Sequence, residues 1–248
     1  MPGNIYETRK LIDEYLLFHY GSADEVMPWT FGPREALHFP VRTVTELLGS
    51  VGLSPASESR ALDLGCAVGR STFELTKHFE EVTGIDYSHG FVQAAEAMKT
   101  FGELPYTALS EGAIAEKFTA HMPSDCHPER ARFEQGDAMH LREDLGSFDL
   151  VHAANLLCRL PEPQKLLDRL PALVRPGGRL LLSTPCTWLA EFTPPENWPS
   201  GSTREWLTQS LEPHFILEHQ ADLPFVIREH ARKFQWTVAW GTRWVRPT

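Results

Sequence analysis

Six residues at the ends of strand-like runs have types and spacings that suit ligand chemistry. They are Asp63 and Gly65 in ALDLGCAVGR, Gly69 at the far side of the same turn, Asp86 in EVTGIDYS, Asp137 in ARFEQGDAM and Asn155 in FDLVHAANLL. Glycines at 65 and 69 let the backbone approach a ligand closely, and Asp86, seventeen residues after Gly69, is placed to accept hydrogen bonds from a ribose diol. The turn reads G-x-x-x-G, without the third glycine of a dinucleotide cradle. Asp63 beside it would repel a pyrophosphate and suit a cation. S-adenosylmethionine meets these requirements, because it carries a positive sulfonium and ammonium, a free ribose diol, and an adenine that needs an apolar slot.

Such residues must be held by a scaffold, and the sequence supplies one. RALDLGC, EVTGIDYS, ARFEQGDAM, FDLVHAANLL and RLLLSTP read as strands, with helices at 70–80, 89–99 and 162–174 between several of them. This alternation predicts an α/β, Rossmann-like fold. Its sheet is seven-stranded and mainly parallel, and its ligand lies beyond the carboxyl ends of the strands. RPGG at 175–178 reads as the breaker before the fifth of these strands. An insert at 101–132 is expected to hold one short strand near 105–109. Upstream, Ile12, Tyr15, Leu16 and His19 recur at i, i+3, i+4 and i+7, predicting a helix over 5–20 with Gly21 as its cap. A second helix is expected at 40–49, ending near the loop GLSPASES. After Pro185 come a loop to 201, a helix at 202–211 and two long strands forming an antiparallel hairpin. The chain therefore reads as one domain: an N-terminal helical cap (1–58), a cofactor-binding core (59–185) and a flap, helix and hairpin (186–248).

Composition narrows the partners. Of 248 residues, 23 are basic and 33 acidic, a net charge of −10 that repels polyphosphate and argues against nucleic acid. Arg232, Lys233 and Trp236 accordingly read as part of a hairpin turn rather than as a nucleic-acid patch. The four cysteines form no C-x-x-C pair, MPGNIYETRK lacks the apolar core of a signal peptide, and no apolar run is long enough to span a membrane. A cytoplasmic protein acting on a small molecule, without metal, is expected.

LDLGCAVGR, GIDYS, GDAMHL and FDLVHAANLL, in this order, resemble the successive motifs of class I, Rossmann-like methyltransferases. The resemblance implies that the first motif, with Cys66 and Ala67, faces the methionine part of S-adenosylmethionine. It implies further that Asp86, followed by Tyr87, binds the ribose, that Gly136, Asp137 and Ala138 line the adenine, and that Asn155 and Leu156 lie near the methyl group. Cys66 then reads as a small packing residue and not as a nucleophile. S-adenosylhomocysteine would be the product.

A narrower resemblance involves DEYLLFHYG, FGPREALHFPVR, SEGAIAEKF and LPFVIREHARKFQWTVAWGTRWVR, which look like the methyltransferase of ovothiol biosynthesis in its stand-alone form. It implies methylation of an imidazole ring nitrogen of 5-thiohistidine, beside a separate sulfoxide synthase. Such an acceptor carries a carboxylate, an ammonium, a thiolate and a ring. Arg228, Arg42 and Arg159 are candidates for its anionic groups and Glu229 for its ammonium. Tyr15, Phe18, His19 and Tyr20 would supply an aromatic lid, and Asn155 would hold the ring N–H; Asn155, Tyr15 and His19 are the candidate catalytic groups. Each also has a plainer reading: His19, Tyr15 and Phe18 as packed core, and Arg228 with Glu229 as a solvated strand pair. Another small polar acceptor (a carboxylate, amine or phenol) and a cofactor-binding protein without catalysis are the alternative functions.

Overall fold

The computed structural model describes residues 5–49 and 58–248. A single turn at Ile5–Glu7 precedes α1 (Arg9–Tyr20), because the Thr8 hydroxyl accepts from the Leu11 N–H and starts the helix there. Then come α2 (Ala23–Val26), α3 (Phe39–Leu48), β1 (Arg60–Leu64), α4 (Arg70–Leu75), β2 (Glu81–Asp86) and α5 (His89–Phe101). Strands β3 (Glu103–Glu111) and β4 (Ile114–His121) form a ribbon of their own. The alternation resumes with β5 (Ala131–Gln135), β6 (Phe148–Ala154), α6 (Pro163–Leu173) and β7 (Val174–Thr184), and closes with α7 (Thr203–Leu211), β8 (Ile216–His230) and β9 (Lys233–Val245). The end of the cap, 50–57, with most of the GLSPASES loop, lies outside the described residues.

Strand β1 is buried from Ala61 onward, as a parallel strand covered on both faces must be. The seven-stranded sheet runs β5-β2-β1-β6-β7-β9-β8, parallel from β5 to β7 and antiparallel through β9 and β8. The strand order reverses between β1 and β6, so the carboxyl ends of these two strands border the crevice where such sheets bind ligands. Leu166, Leu170 and Leu173 of α6 pack with Phe148, Leu180 and Trp244 on one face, while Val44 and Leu47 of α3 meet Leu150, Leu181 and Phe225 on the other. The alternation of Leu180 and Leu181 between two cores is the period-2 rule of a strand. Each such leucine contributes about 1.5–3 kcal/mol by leaving water.

Three elements differ from the sequence reading. The insert holds two long strands instead of one short one, joined through Gly112 at φ +53°. RPGG does not break β7 but bulges within it: Phe148 pairs with Val174, and the next partner, Leu150, meets Arg179. Asp149 at the bulge accepts from the Arg60 N–H at 2.8 Å and pairs with Arg175, which confines it to the sheet. The helix expected over 70–80 ends at Leu75, where looser turns replace it.

Candidate active site

The turn after β1 is shaped by backbone conformation. Gly65, Ala67 and Gly69 all have left-handed φ values, +70°, +48° and +87°. The Gly65 N–H reaches Ile85 O (2.8 Å), and the Gly69 N–H reaches Cys66 O (2.9 Å). Gly69 is closely boxed in: a Cβ there would stand 2.8 Å from Phe133 Cζ and 3.1 Å from Ala95 Cβ. Gly69→Ala therefore combines left-handed strain with overpacking, for an expected loss of about 2–4 kcal/mol. Urea unfolding reads this directly, and an unchanged midpoint would contradict it.

Asp86 ends β2 and ties that turn to the next helix. Its Oδ2 accepts from the Ala67 N–H (2.8 Å) and its Oδ1 from the Ser88 N–H (2.9 Å). Ser88 in turn caps α5, accepting from the Phe91 N–H. Asp137, beyond β5, accepts from the Met139 N–H (2.8 Å) and lies 2.9 Å from His140 Nδ1. Asn155, just past β6, has φ +52°, and its Oδ1 accepts from the Ser183 hydroxyl (3.0 Å).

These groups surround one cavity of about 630 Å³ at the β1/β6 crevice. Of the residues singled out for the cofactor, only Gly69 does not line it; Asp63, Gly65, Cys66 and Ala67 form one wall, Asp86 and Tyr87 another. Gly136, Asp137 and Ala138 line a third side, and Asn155 and Leu156 adjoin β6. Tyr15, Phe18, His19 and Arg159 also line it, Tyr15 lying 4.5 Å from Phe91 between ring centroids. Their spacing on α1 accounts for this, since 15, 18 and 19 share one helical face.

The remaining acceptor candidates are turned elsewhere. Tyr20 lies one position further round the helix, and its hydroxyl donates to Val68 O at 2.8 Å, clasping the turn from outside. Arg42 pairs with Glu46 and donates to Pro224 O. Arg228 is 4% exposed and donates to Glu25 O and Leu109 O, locking β8 to α2 and β3. Glu229 is held by Lys233 and Gln235. None of these four lines the cavity, because each already satisfies a structural partner. In their place the structure brings in Tyr6, Glu191 and Phe192, which the sequence reading did not single out.

The electrostatics are those of a desolvated site. Burial, followed by the nearby charge of Arg70, lowers the His19 imidazole to about 3, so the ring is neutral, and its Nδ1 has no hydrogen-bond partner among the described residues. The Arg159 guanidinium lies 4.4 Å over the Phe192 ring, and among the described residues it has no ion-pair partner and one terminal nitrogen is buried and unpartnered. Burial raises Tyr15 above the usual phenol range.

The sequence profile of the methyltransferase domain matches residues 34–234. The chain belongs to this methyltransferase-domain family. A ubiquinone biosynthesis O-methyltransferase from Coxiella burnetii is 28% identical over 123 residues, 50% of this chain and 42% of that protein. A trans-aconitate 2-methyltransferase from Deinococcus radiodurans is 32% identical over 129 residues, 51% of this chain and 38% of the relative. The chain thus spans less than half the length of these curated relatives. Among solved structures, the N-methyltransferase NodS from Bradyrhizobium japonicum, complexed with S-adenosylhomocysteine, superposes with TM-score 0.54 at 18% identity, covering 96% of this chain and 99% of that one. The [4+2]-cyclase SpnF superposes with TM-score 0.62 at 17% identity, covering 99% and 96%. These likenesses establish the Rossmann-like fold of S-adenosylmethionine-dependent methyltransferases.

The cavity suits that cofactor as a methyltransferase domain requires. Its volume lies in the range of small-molecule sites, about 300–1,000 Å³, and its donor set offers carboxylates at the ends of two neighbouring strands. Among the described residues no three metal-ligating side chains converge, and no helix is long and apolar enough to cross a membrane.

Burial raises the Asp86 carboxyl to about 6, against the lowering effect of its two backbone N–H donors. Two opposite pH trends are expected. With Asp86 as the ribose acceptor that the family resemblance implies, cofactor affinity should weaken as pH falls through about 6, because a diol prefers the ionised acceptor. The ligand-free protein gains stability over the same descent, from about pH 6 to 4, because the fold then holds a proton that the unfolded chain has released. Calorimetric titration and melting curves at matched pH check the pair; parallel trends would contradict the assignment.

Proposed function

We propose that this methyltransferase-domain protein transfers a methyl group from S-adenosylmethionine to an imidazole ring nitrogen of 5-thiohistidine. The observation that carries the reading is Arg159, a cation without a carboxylate partner among the described residues that stacks on Phe192 at a wall of the cavity shared with Tyr6, Tyr15 and Phe91. Such a group asks for an anion attached to a flat ring. In a thiohistidine that anion is the carboxylate or the thiolate. The resemblance of both ends of the chain to the ovothiol methyltransferase selects this acceptor among anionic heterocycles.

The cofactor, when bound, supplies a methyl group on a positive sulfur. The ring nitrogen would supply the lone pair for the new N–C bond, the C–S electron pair would return to sulfur, and the ring N–H proton would pass to solvent, since His19 is too weak a base to keep it. The work left to the chain is to hold the acceptor in line and to exclude water, which supplies about 7–11 kcal/mol in well-oriented reactions. Tyr15, Phe18 and Phe91 wall the ring, and Arg159 draws the anion, keeping the softer thiolate away from the methyl. The neutral His19 accepts the ring N–H opposite the attacking nitrogen, with Asn155 beside it. Asp86 and Tyr87 hold the ribose, and Gly136, Asp137 and Ala138 hold the adenine.

Mass spectrometry of the protein incubated with S-adenosylmethionine and a panel of 5-thiohistidine, histidine, trans-aconitate and a catechol tests this. A gain of one methyl on 5-thiohistidine is expected. Turnover of trans-aconitate or the catechol in preference would replace the acceptor assignment with that of the curated relatives.

A further inference from the structure

A buried polar chain underlies the cavity and ties Asp63 to three further side chains. Asp63 on β1 and His152 on β6 are register partners across the two strands that border the crevice. Each is 1% exposed, and both line the cavity. His152 Nδ1 lies 2.7 Å from Asp63 Oδ1, and the Thr72 hydroxyl of α4 donates to Asp63 Oδ2 at 2.6 Å. On the other side of the ring, His152 Nε2 lies 3.1 Å from Thr43 Oγ1 of α3, which is itself 3.0 Å from Pro40 O. Every member has a partner, so the orientation of the Asp63 carboxylate is fixed by four elements together.

What remains open on Asp63 is accepting capacity. An ionised carboxylate only accepts, so Nδ1 carries the proton between it and His152. Among the described residues no lysine or arginine lies within 4.0 Å of Asp63. The other carboxylates at this edge of the sheet are committed differently: Asp86 to the Ala67 and Ser88 N–H groups, Asp137 to Met139 and His140. Asp63 uses one lone pair on each oxygen and keeps one on each for a ligand cation. Of the two cationic groups in S-adenosylmethionine, the sulfonium has no hydrogen to donate, and the primary ammonium has three.

We propose that His152, braced by Thr43, is a positioning residue that aims the Asp63 carboxylate at the ammonium of the cofactor's amino-acid half. This rests on the cofactor alone and is independent of the acceptor proposed above. A lone histidine inside the apolar strand FDLVHAA is thereby given a function beyond packing.

The test compares two ligands by calorimetric titration: S-adenosylhomocysteine, and 5′-methylthioadenosine, which keeps the adenine, ribose and sulfur but lacks the amino acid. His152→Leu is expected to weaken S-adenosylhomocysteine by about tenfold or more, as loss of a charge-assisted hydrogen-bond geometry does. Binding of 5′-methylthioadenosine should stay within about twofold. His152→Asn, whose amide nitrogen can stand in for Nδ1, should restore S-adenosylhomocysteine to within about threefold. Equal weakening of both ligands, no weakening of either, or an Asn variant as poor as Leu would overturn the proposal. If His152→Leu does not fold, Thr43→Val removes the brace and keeps the ring. Selective weakening of S-adenosylhomocysteine there supports the proposal, and parallel or absent weakening overturns it.

Discussion

Asp86→Ala is expected to lower cofactor affinity more than any other single change in the cavity. A ribose diol loses charge-assisted hydrogen bonds of about 1.5–3 kcal/mol each, so the dissociation constant should rise by about tenfold to several hundredfold. The variant also frees the Ala67 and Ser88 N–H groups that the carboxylate now holds, so the turn and the start of α5 loosen together. Asp86→Asn separates the two effects, since its amide oxygen still accepts while the charge is gone. An intermediate loss is expected from Asn. Calorimetry on folded protein decides, and an unchanged affinity in the Ala variant would remove Asp86 from the ribose.

Arg159→Met is expected to act on the other half of the reaction. Methionine preserves much of the apolar stem against Phe192 but removes the cation. The expected effect is a fall in kcat/KM for the acceptor of about tenfold to 150-fold, carried by KM, with cofactor affinity intact. Steady-state kinetics with the acceptor varied, together with a cofactor titration, reads both. A fall in cofactor affinity equal to the fall in kcat/KM would show that Arg159 shapes the cavity as a whole.

The strand-end wall of the cavity was legible because its residues sit at places that local rules define. A strand-to-helix turn needs left-handed residues at 65 and 69, and polar side chains at or just past the carboxyl ends of parallel strands fall at the ligand edge, as Asp86, Asp137 and Asn155 do. The face of α1 was legible too, since helical spacing places 15, 18 and 19 together. It fails one residue later, where Tyr20 turns outward to Val68.

Long-range partners explain the rest. The run AIAEKFTAH is rich in alanine, glutamate and lysine, which favour helix, yet pairing with β3 and packing beside α1 make it β4. Arg228 looked like a ligand fork because nothing local reveals that Glu25 O and Leu109 O lie within its reach. Phe192 and Tyr6 sit in an irregular loop and a single turn, where no periodicity marks an inward side chain. His152 was not singled out, because nothing local to its strand reveals a partner 89 positions away.

Calorimetric titration of the folded protein with S-adenosylhomocysteine, with NAD as control, tests most directly whether a sulfonium nucleoside sits at the carboxyl ends of β1 and β6. One saturable site for S-adenosylhomocysteine and none for NAD is the predicted result. Absence of heat and of any melting shift with S-adenosylhomocysteine, or saturation by NAD, would contradict it.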